Sequence, residues 1–261
     1  MFTKKYFYLV KFQYLGYRFH GWQKQPKLKT IHLMIDRTFK YILEGNYFKT
    51  LAASRTDAMV SANEAAFELF LRHEIENEEE FLQLFNHNLP QDIRALSIEQ
   101  VSKEFNIIQS SKTKEYIYLF TYGEKCHPFC ASIMTTVLDD LDIDLMKQGA
   151  KLFEGTHNFK TYCYKDTNEG KYTRTLDHCE LTENTLFNAN FFPEKTYTLK
   201  VIAKGFGRNQ IRLMMGALIK LGREDISLEY IKNSLLPEST ETMDYIAPAS
   251  GLILNKIEFD V

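Results

Sequence analysis

Residues 197–204 limit most tightly what this chain can fold into. Tyr197, Leu199, Val201 and Ala203 alternate with Thr198, Lys200 and Lys204, so 196–204 reads as a strand with one apolar and one polar face. A few residues on, Ile211, Met214, Met215 and Leu218 recur at helical spacing within 208–221, and Gly222 reads as the helix stop. A strand wet on one side, followed at once by a helix with an apolar stripe, calls for a sheet with helices laid on it.

The pattern recurs along the chain. Segments 5–14, 64–72, 93–102, 114–122 and 251–260 are rich in aromatic and β-branched residues and read as strands, with a further one at 47–53. Ile31, Met34, Ile35, Phe39 and Ile42 follow Thr30, an N-cap type, at helical spacing. Weaker helical patterns cover 78–86, 143–153 and 227–235, and the acidic run Glu74 to Glu80 reads as the solvated entry to the first of these. With no Gly/Ser-rich linker, the expectation is an α+β protein of two similar sheet-and-helix units, 1–105 and 106–261, sharing a continuous sheet.

Composition narrows the function. Apolar residues are 44% and charged residues 25% of 261, which excludes disordered and low-complexity architectures. Thirty-two basic against 34 acidic residues leave a net charge of -2, so any polyanion site must be a local basic patch. The aromatic share, 14%, built from 20 Phe and 15 Tyr but one Trp, asks for an explanation. Cys126, Cys130, Cys163 and Cys179 are too few for a disulfide scaffold, and Cys126-His127-Pro128-Phe129-Cys130 lacks the second pair a zinc clip needs, so no metal is expected. No apolar run reaches the roughly 20 residues of a membrane span. Met1 to Lys5 lead straight into an aromatic stretch without a secretory apolar region, and the expected compartment is the cytoplasm.

Four clusters carry chemistry-bearing residues. Ser54-Arg55-Thr56-Asp57-Ala58-Met59-Val60 sets a carboxylate two residues from an arginine on a loop between strands, a place where catalytic groups are presented; taken alone, it reads first as a turn in which Asp57 accepts backbone N–H bonds. Tyr14 to Pro26 gathers Trp22, two glycines, Gln23 and basic groups, a mixture suited to stacking on bases and holding phosphate, or to packing as an aromatic loop on the core. Tyr116 and Tyr118 share one face of a strand, where one can stack on a ligand ring or both can fill the core. Gly205-Phe206-Gly207-Arg208-Asn209-Gln210-Ile211-Arg212 passes from strand to helix. Gln210 and Arg212 fall in its first turns, and Arg212 lies beside the apolar stripe, as a carboxylate partner or as a solvated flank.

In this order and at these separations, the clusters resemble the tRNA pseudouridine synthase A family, from Tyr14 to about Asp260. Arg55-Thr56-Asp57-Ala58 is similar to that family's GRTDAGVHA motif, the most specific part of the match. Tyr14 to Gln25 resembles YDGxxYxGWQ, and Asn88-Leu89-Pro90-Gln91-Asp92-Ile93 resembles NxLPxDI. Tyr116 falls at the family's strand tyrosine, with Phe105 upstream. Phe206 to Gly216 is similar to FxxxQVRxMVG, Phe153 to Phe159 to a G-x-H-D/N-F segment, and Gly251-Leu252 to the closing strand. The chain departs from the pattern at Met59, where the family has glycine, at Ser61, and in a basic lead reduced to Lys112 and Lys114.

The resemblance implies two ferredoxin-like or RRM-like halves forming a continuous, mainly antiparallel sheet with a central RNA-binding cleft. It implies an isomerase that needs no cofactor or metal, acts on uridine in tRNA in or near the anticodon stem-loop, and works as a homodimer. It gives Asp57 the role of essential carboxylate, nucleophile or base, with Arg212 as its ion-pair partner and Tyr116 stacking on the base and assisting proton transfer. Arg55, Trp22, Gln23, Arg208 and Gln210 then contact RNA. The alternative is a catalytically idle relative that keeps the fold as an RNA-binding module.

Overall fold

The computed structural model describes residues 6–164 and 172–260; Met1 to Lys5, with the expected N-terminal lead and first strand residue, lie outside them. In chain order the elements are β1 (Tyr6–Tyr14), α1 (Ile31–Ile42), β2 (Phe48–Ala52), β3 (Ser61–Leu71), α2 (Glu78–Asn88), β4 (Ile93–Gln100) and β5 (Ser111–Tyr122). There follow β6 (Thr135–Val137), α3 (Ile143–Leu152), β7 (Gly155–Asn158), β8 (Thr173–Leu176), β9 (His178–Glu183), β10 (Tyr197–Ala203), α4 (Gln210–Gly222), α5 (Leu228–Ser234) and β11 (Leu252–Phe259). Two compact units result: one runs to Lys112 and includes the chain from Leu254, and the other is Thr113–Ile253.

The first unit has the order β-α-β-β-α-β and the strand sequence β4-β1-β3-β2, all antiparallel, which is the ferredoxin-like arrangement. Its helices begin where local chemistry permits. The Thr30 hydroxyl accepts from the Leu33 amide at 3.3 Å, and the Asn77 side chain accepts from the Glu79 and Glu80 amides. Glu78, Glu79 and Glu80 then sit at the positive end of the α2 dipole. Between helices and sheet lies an aromatic core: Phe39 stacks on Phe85 with centroids 4.3 Å apart and meets Phe67 edge-on, and Phe67 packs against Phe12. This is where much of the aromatic share goes.

In the second unit, β5, β10 and β9 pair antiparallel, and short β6 pairs in parallel with the end of β5. Helix α4 departs from the expected one-faced pattern. From Gln210 to Gly222 every residue is buried except Arg212 and Lys220, because α3 packs on one side and the chain around Tyr245 on another. Gly222 is the last helical residue, in contact with Met146, rather than the stop; Glu224 takes the left-handed turn at φ 62°. Strands β6 to β9 have no counterpart in the sequence reading. Among the described residues no helix is long and apolar enough to cross a membrane.

Candidate active site

In the first unit the loop carrying Asp57 joins β2 to β3, and the segment after β1 is laced to it. Buried Tyr14 and Thr56 share a hydroxyl–hydroxyl hydrogen bond of 2.8 Å. The Trp22 amide donates to the Thr56 carbonyl at 3.1 Å, the Met59 amide to the Phe19 carbonyl at 3.1 Å, and the Gly16 amide to the Ser61 hydroxyl at 2.9 Å. Gly21, at φ 80°, is the point of closest approach: a Cβ there would stand 2.6 Å from the Thr56 carbonyl oxygen and 3.0 Å from the Asp57 carbonyl carbon. Asp57 is half-buried on a backbone fixed on both sides, and Arg55 is exposed. The Val60 amide donates to the Asp57 carbonyl, closing a turn in which Met59 adopts φ 67°.

A second carboxylate supports this frame. Asp92 accepts from two nitrogens of the Arg18 guanidinium, with Nη2 to Oδ1 at 2.7 Å, while its carbonyl accepts from the Leu15 amide. The motif at 88–93 thus braces the 14–22 segment, a role the sequence reading did not assign.

Trp22 needs correction as an RNA contact. It is 3% exposed, stacked on the His32 ring at 5.1 Å and flanked by Phe12 and Phe67, so its indole has no surface to offer a base. Gln23, next to it, is exposed. His32 lies in a polar pocket behind this stack: its Nε2 bonds the Thr50 hydroxyl at 2.8 Å, and Asp36 is paired with Lys24. Burial, helped by the Lys24 charge, pushes the His32 pKa down to about 4.

In the second unit β5 carries Tyr116, opposite Val201 of β10. Its ring is 7% exposed and packs edge-on with Phe206, centroids 5.3 Å apart, so the turn after β10 covers it. Tyr118, on the same face, is wholly buried. Lys114 is half-buried, and its burial pushes the ammonium pKa down. Arg212, in the first turn of α4, is half-buried; its Nε donates to the Ala247 carbonyl at 2.7 Å and its Nη1 to Asn209 Oδ1 at 3.3 Å.

Gln210 also needs correction. It is 1% exposed, and its Oε1 accepts from the Gly207 amide at 2.7 Å, so it locks the turn ahead of α4 rather than facing RNA. A glutamine two residues from an arginine carries no signal of burial in the sequence; the fold alone decides it. Arg208 is exposed, with its guanidinium over the Tyr164 ring at 5.5 Å.

A family model described as tRNA pseudouridine synthase matches residues 150–260. Over nearly the whole chain, tRNA pseudouridine synthase A of Dictyoglomus thermophilum is 29% identical, the match covering 96% of this chain and 98% of that protein. tRNA pseudouridine synthase A 2 of Bacillus cereus strain ZK / E33L is 30% identical, covering 97% and 99%. tRNA pseudouridine synthase A of Aster yellows witches'-broom phytoplasma is 29% identical, covering 97% and 98%.

Proposed function

This chain belongs to the tRNA pseudouridine synthase A family, and we propose that it uses Asp57, Tyr116 and Arg212 to isomerise uridine in tRNA. The activity itself follows from the family: an isomerase that makes pseudouridine in tRNA. The reaction breaks the N1–C1′ bond, turns the uracil and forms a C5–C1′ bond; C5 loses a proton and N1 gains one, so no atom is added or lost.

In our reading Asp57 is the essential carboxylate. It acts as nucleophile or as base, with Arg212 as its ion-pair partner. Tyr116 stacks on the extruded base and assists proton transfer at C5. With Tyr116 buried and Phe206 packed on its ring, this requires the Phe206 turn to give way as RNA enters. Base extrusion costs a few kcal/mol, which gives Arg55, held beside Asp57 on the same loop, a role in filling the vacated space or holding phosphate. Exposed Gln23 and Arg208 are the remaining RNA contacts in this proposal.

The observation that best supports it is the double lacing of the Asp57 loop by Trp22, Met59 and Gly16 hydrogen bonds and the Gly21 approach. A carboxylate on so constrained a backbone is pre-organised, as a reacting group must be. We further propose a target in or near the anticodon stem-loop, a homodimeric assembly and a cytoplasmic location. The experiment is to incubate the purified protein with unmodified bulk tRNA and map pseudouridine by sequencing. Formation confined to the anticodon arm supports the reading, and tRNA binding without any pseudouridine favours the idle module.

A further inference from the structure

The chain from Tyr245 to Pro248 is strapped across α4, against Gly216 and Arg212, and tied to β5 at Pro248. Gly216 admits the strap: a Cβ at that position would stand 2.0 Å from the Tyr245 carbonyl oxygen. Ala247 then exchanges two hydrogen bonds with Arg212, donating its amide to the Arg212 carbonyl at 3.1 Å and accepting from Arg212 Nε at 2.7 Å. The next carbonyl, that of Pro248, accepts from the Tyr118 hydroxyl at 2.7 Å. A phenol has one proton, so in its other contact, to Thr135 Oγ1 at 2.8 Å, Tyr118 accepts and Thr135 donates. Burial raises the Tyr118 pKa well beyond the ordinary phenol range, and the group remains a donor throughout the working range of pH.

An arginine side chain has several free torsions, and its donors lie in one plane. A carbonyl at Nε and the Asn209 amide oxygen at Nη1 hold that plane on two edges. The Ala247 carbonyl is only as well placed as the strap that carries it, and one residue further on the strap is tied to β5 through Tyr118.

We propose that Tyr118 is a positioning residue for catalysis: by holding the Pro248 carbonyl it fixes the strap against β5, and so sets the plane in which Arg212 presents its guanidinium. The inference rests on the reading of Arg212 as part of the catalytic machinery. Tyr118 does not touch substrate; it acts through Ala247 and Arg212.

The test is steady-state pseudouridine formation on tRNA by Tyr118→Phe, Arg212→Lys, the double variant and Thr135→Val, each with its Tm. Tyr118→Phe keeps the ring and should lower kcat about tenfold, with KM for tRNA unchanged. In the Arg212→Lys background the same change should have no further effect on kcat. Thr135→Val removes the other partner of the same hydroxyl, and it should lower Tm while leaving kcat intact. If Tyr118→Phe and Thr135→Val reduce kcat alike, in step with Tm, the role is structural and the proposal is overturned. Full additivity of Tyr118→Phe and Arg212→Lys overturns it too. Undiminished kcat in Arg212→Lys identifies a different failure, that of the reading of Arg212, and the proposal falls with it. Should Tyr118→Phe not fold, Pro248→Ala loosens the strap without removing a hydrogen bond. It should show the same pattern, lower kcat with unchanged KM and no effect beside Arg212→Lys; an unaltered kcat overturns the proposal.

Discussion

Gly21 and Thr56 touch backbone to backbone, with no room for even one carbon between residue 21 and the Thr56 carbonyl oxygen. The contact joins the segment after β1 to the loop that carries Asp57. Two penalties meet in Gly21→Ala: the left-handed φ of 80°, about 1–2 kcal/mol for a non-glycine, and a 2.6 Å clash with backbone. The expected result is a loss of at least about 2 kcal/mol in urea unfolding together with a fall in kcat, because the displaced atoms are those of Thr56 and Asp57.

Met59 occupies the left-handed region, at φ 67°, which favours glycine. Its side chain is 36% exposed, so little packing depends on it. Relief of about 1–2 kcal/mol of strain, less about 0.5–1 kcal/mol for glycine's extra unfolded freedom, leaves Met59→Gly more stable by about 0.5–1 kcal/mol. Thermal unfolding should register a higher Tm with tRNA activity retained.

His32 makes stability depend on pH. Its folded pKa, about 4, lies below the ordinary 6.5, so between those values the unfolded chain binds the proton that the folded one refuses. The contribution is therefore complete above pH 6.5, declines as pH falls through that window and is gone below pH 4. Its full size is roughly 3 kcal/mol. Asp36, 3.5 Å from Nε2, offers limited relief because Lys24 already pairs with it. Denaturant unfolding at pH 7 and pH 5 should show the wild type losing more stability than His32→Gln.

Burial separates the residues read as RNA contacts into two groups. Trp22→Ala should cost about 3–5 kcal/mol of stability, as expected for a core aromatic. Arg55→Ala and Arg208→Ala should leave Tm within about 0.5 kcal/mol of wild type, since both side chains are exposed. Each should weaken tRNA binding and reduce the salt slope by about 0.7 for every phosphate the arginine neutralises, measured by filter binding across a salt series.

The elements with a long apolar signature were legible in the chain. Helix α1 starts at its Thr30 cap, and β10 alternates as its sequence indicates, apart from a buried Thr198. Strands β7 and β8 were not legible, because GTHN and TRTL carry no apolar alternation and exist only through each other's backbone. Gly222 misled for a related reason: a glycine after an apolar run signals either a turn or a close approach, and here Met146 requires the second. At the candidate site, Asp57, Arg212 and Tyr116 were singled out only by the resemblance that the clusters carry together, whereas the burial of Trp22 and Gln210 was hidden. Indole and amide groups suit RNA and core alike, and only the neighbours, His32 and Phe67 for one and Gly207 for the other, decide between them. The bracing of Arg18 by Asp92 is likewise a contact across 74 positions that no local pattern announces.

Asp57→Asn tests the central claim most directly, since it keeps the size of the side chain and removes the charge that either mechanism requires. Pseudouridine formation in tRNA should become undetectable, while tRNA affinity and Tm stay close to wild type. Activity surviving in a well-folded Asp57→Asn protein would contradict the account.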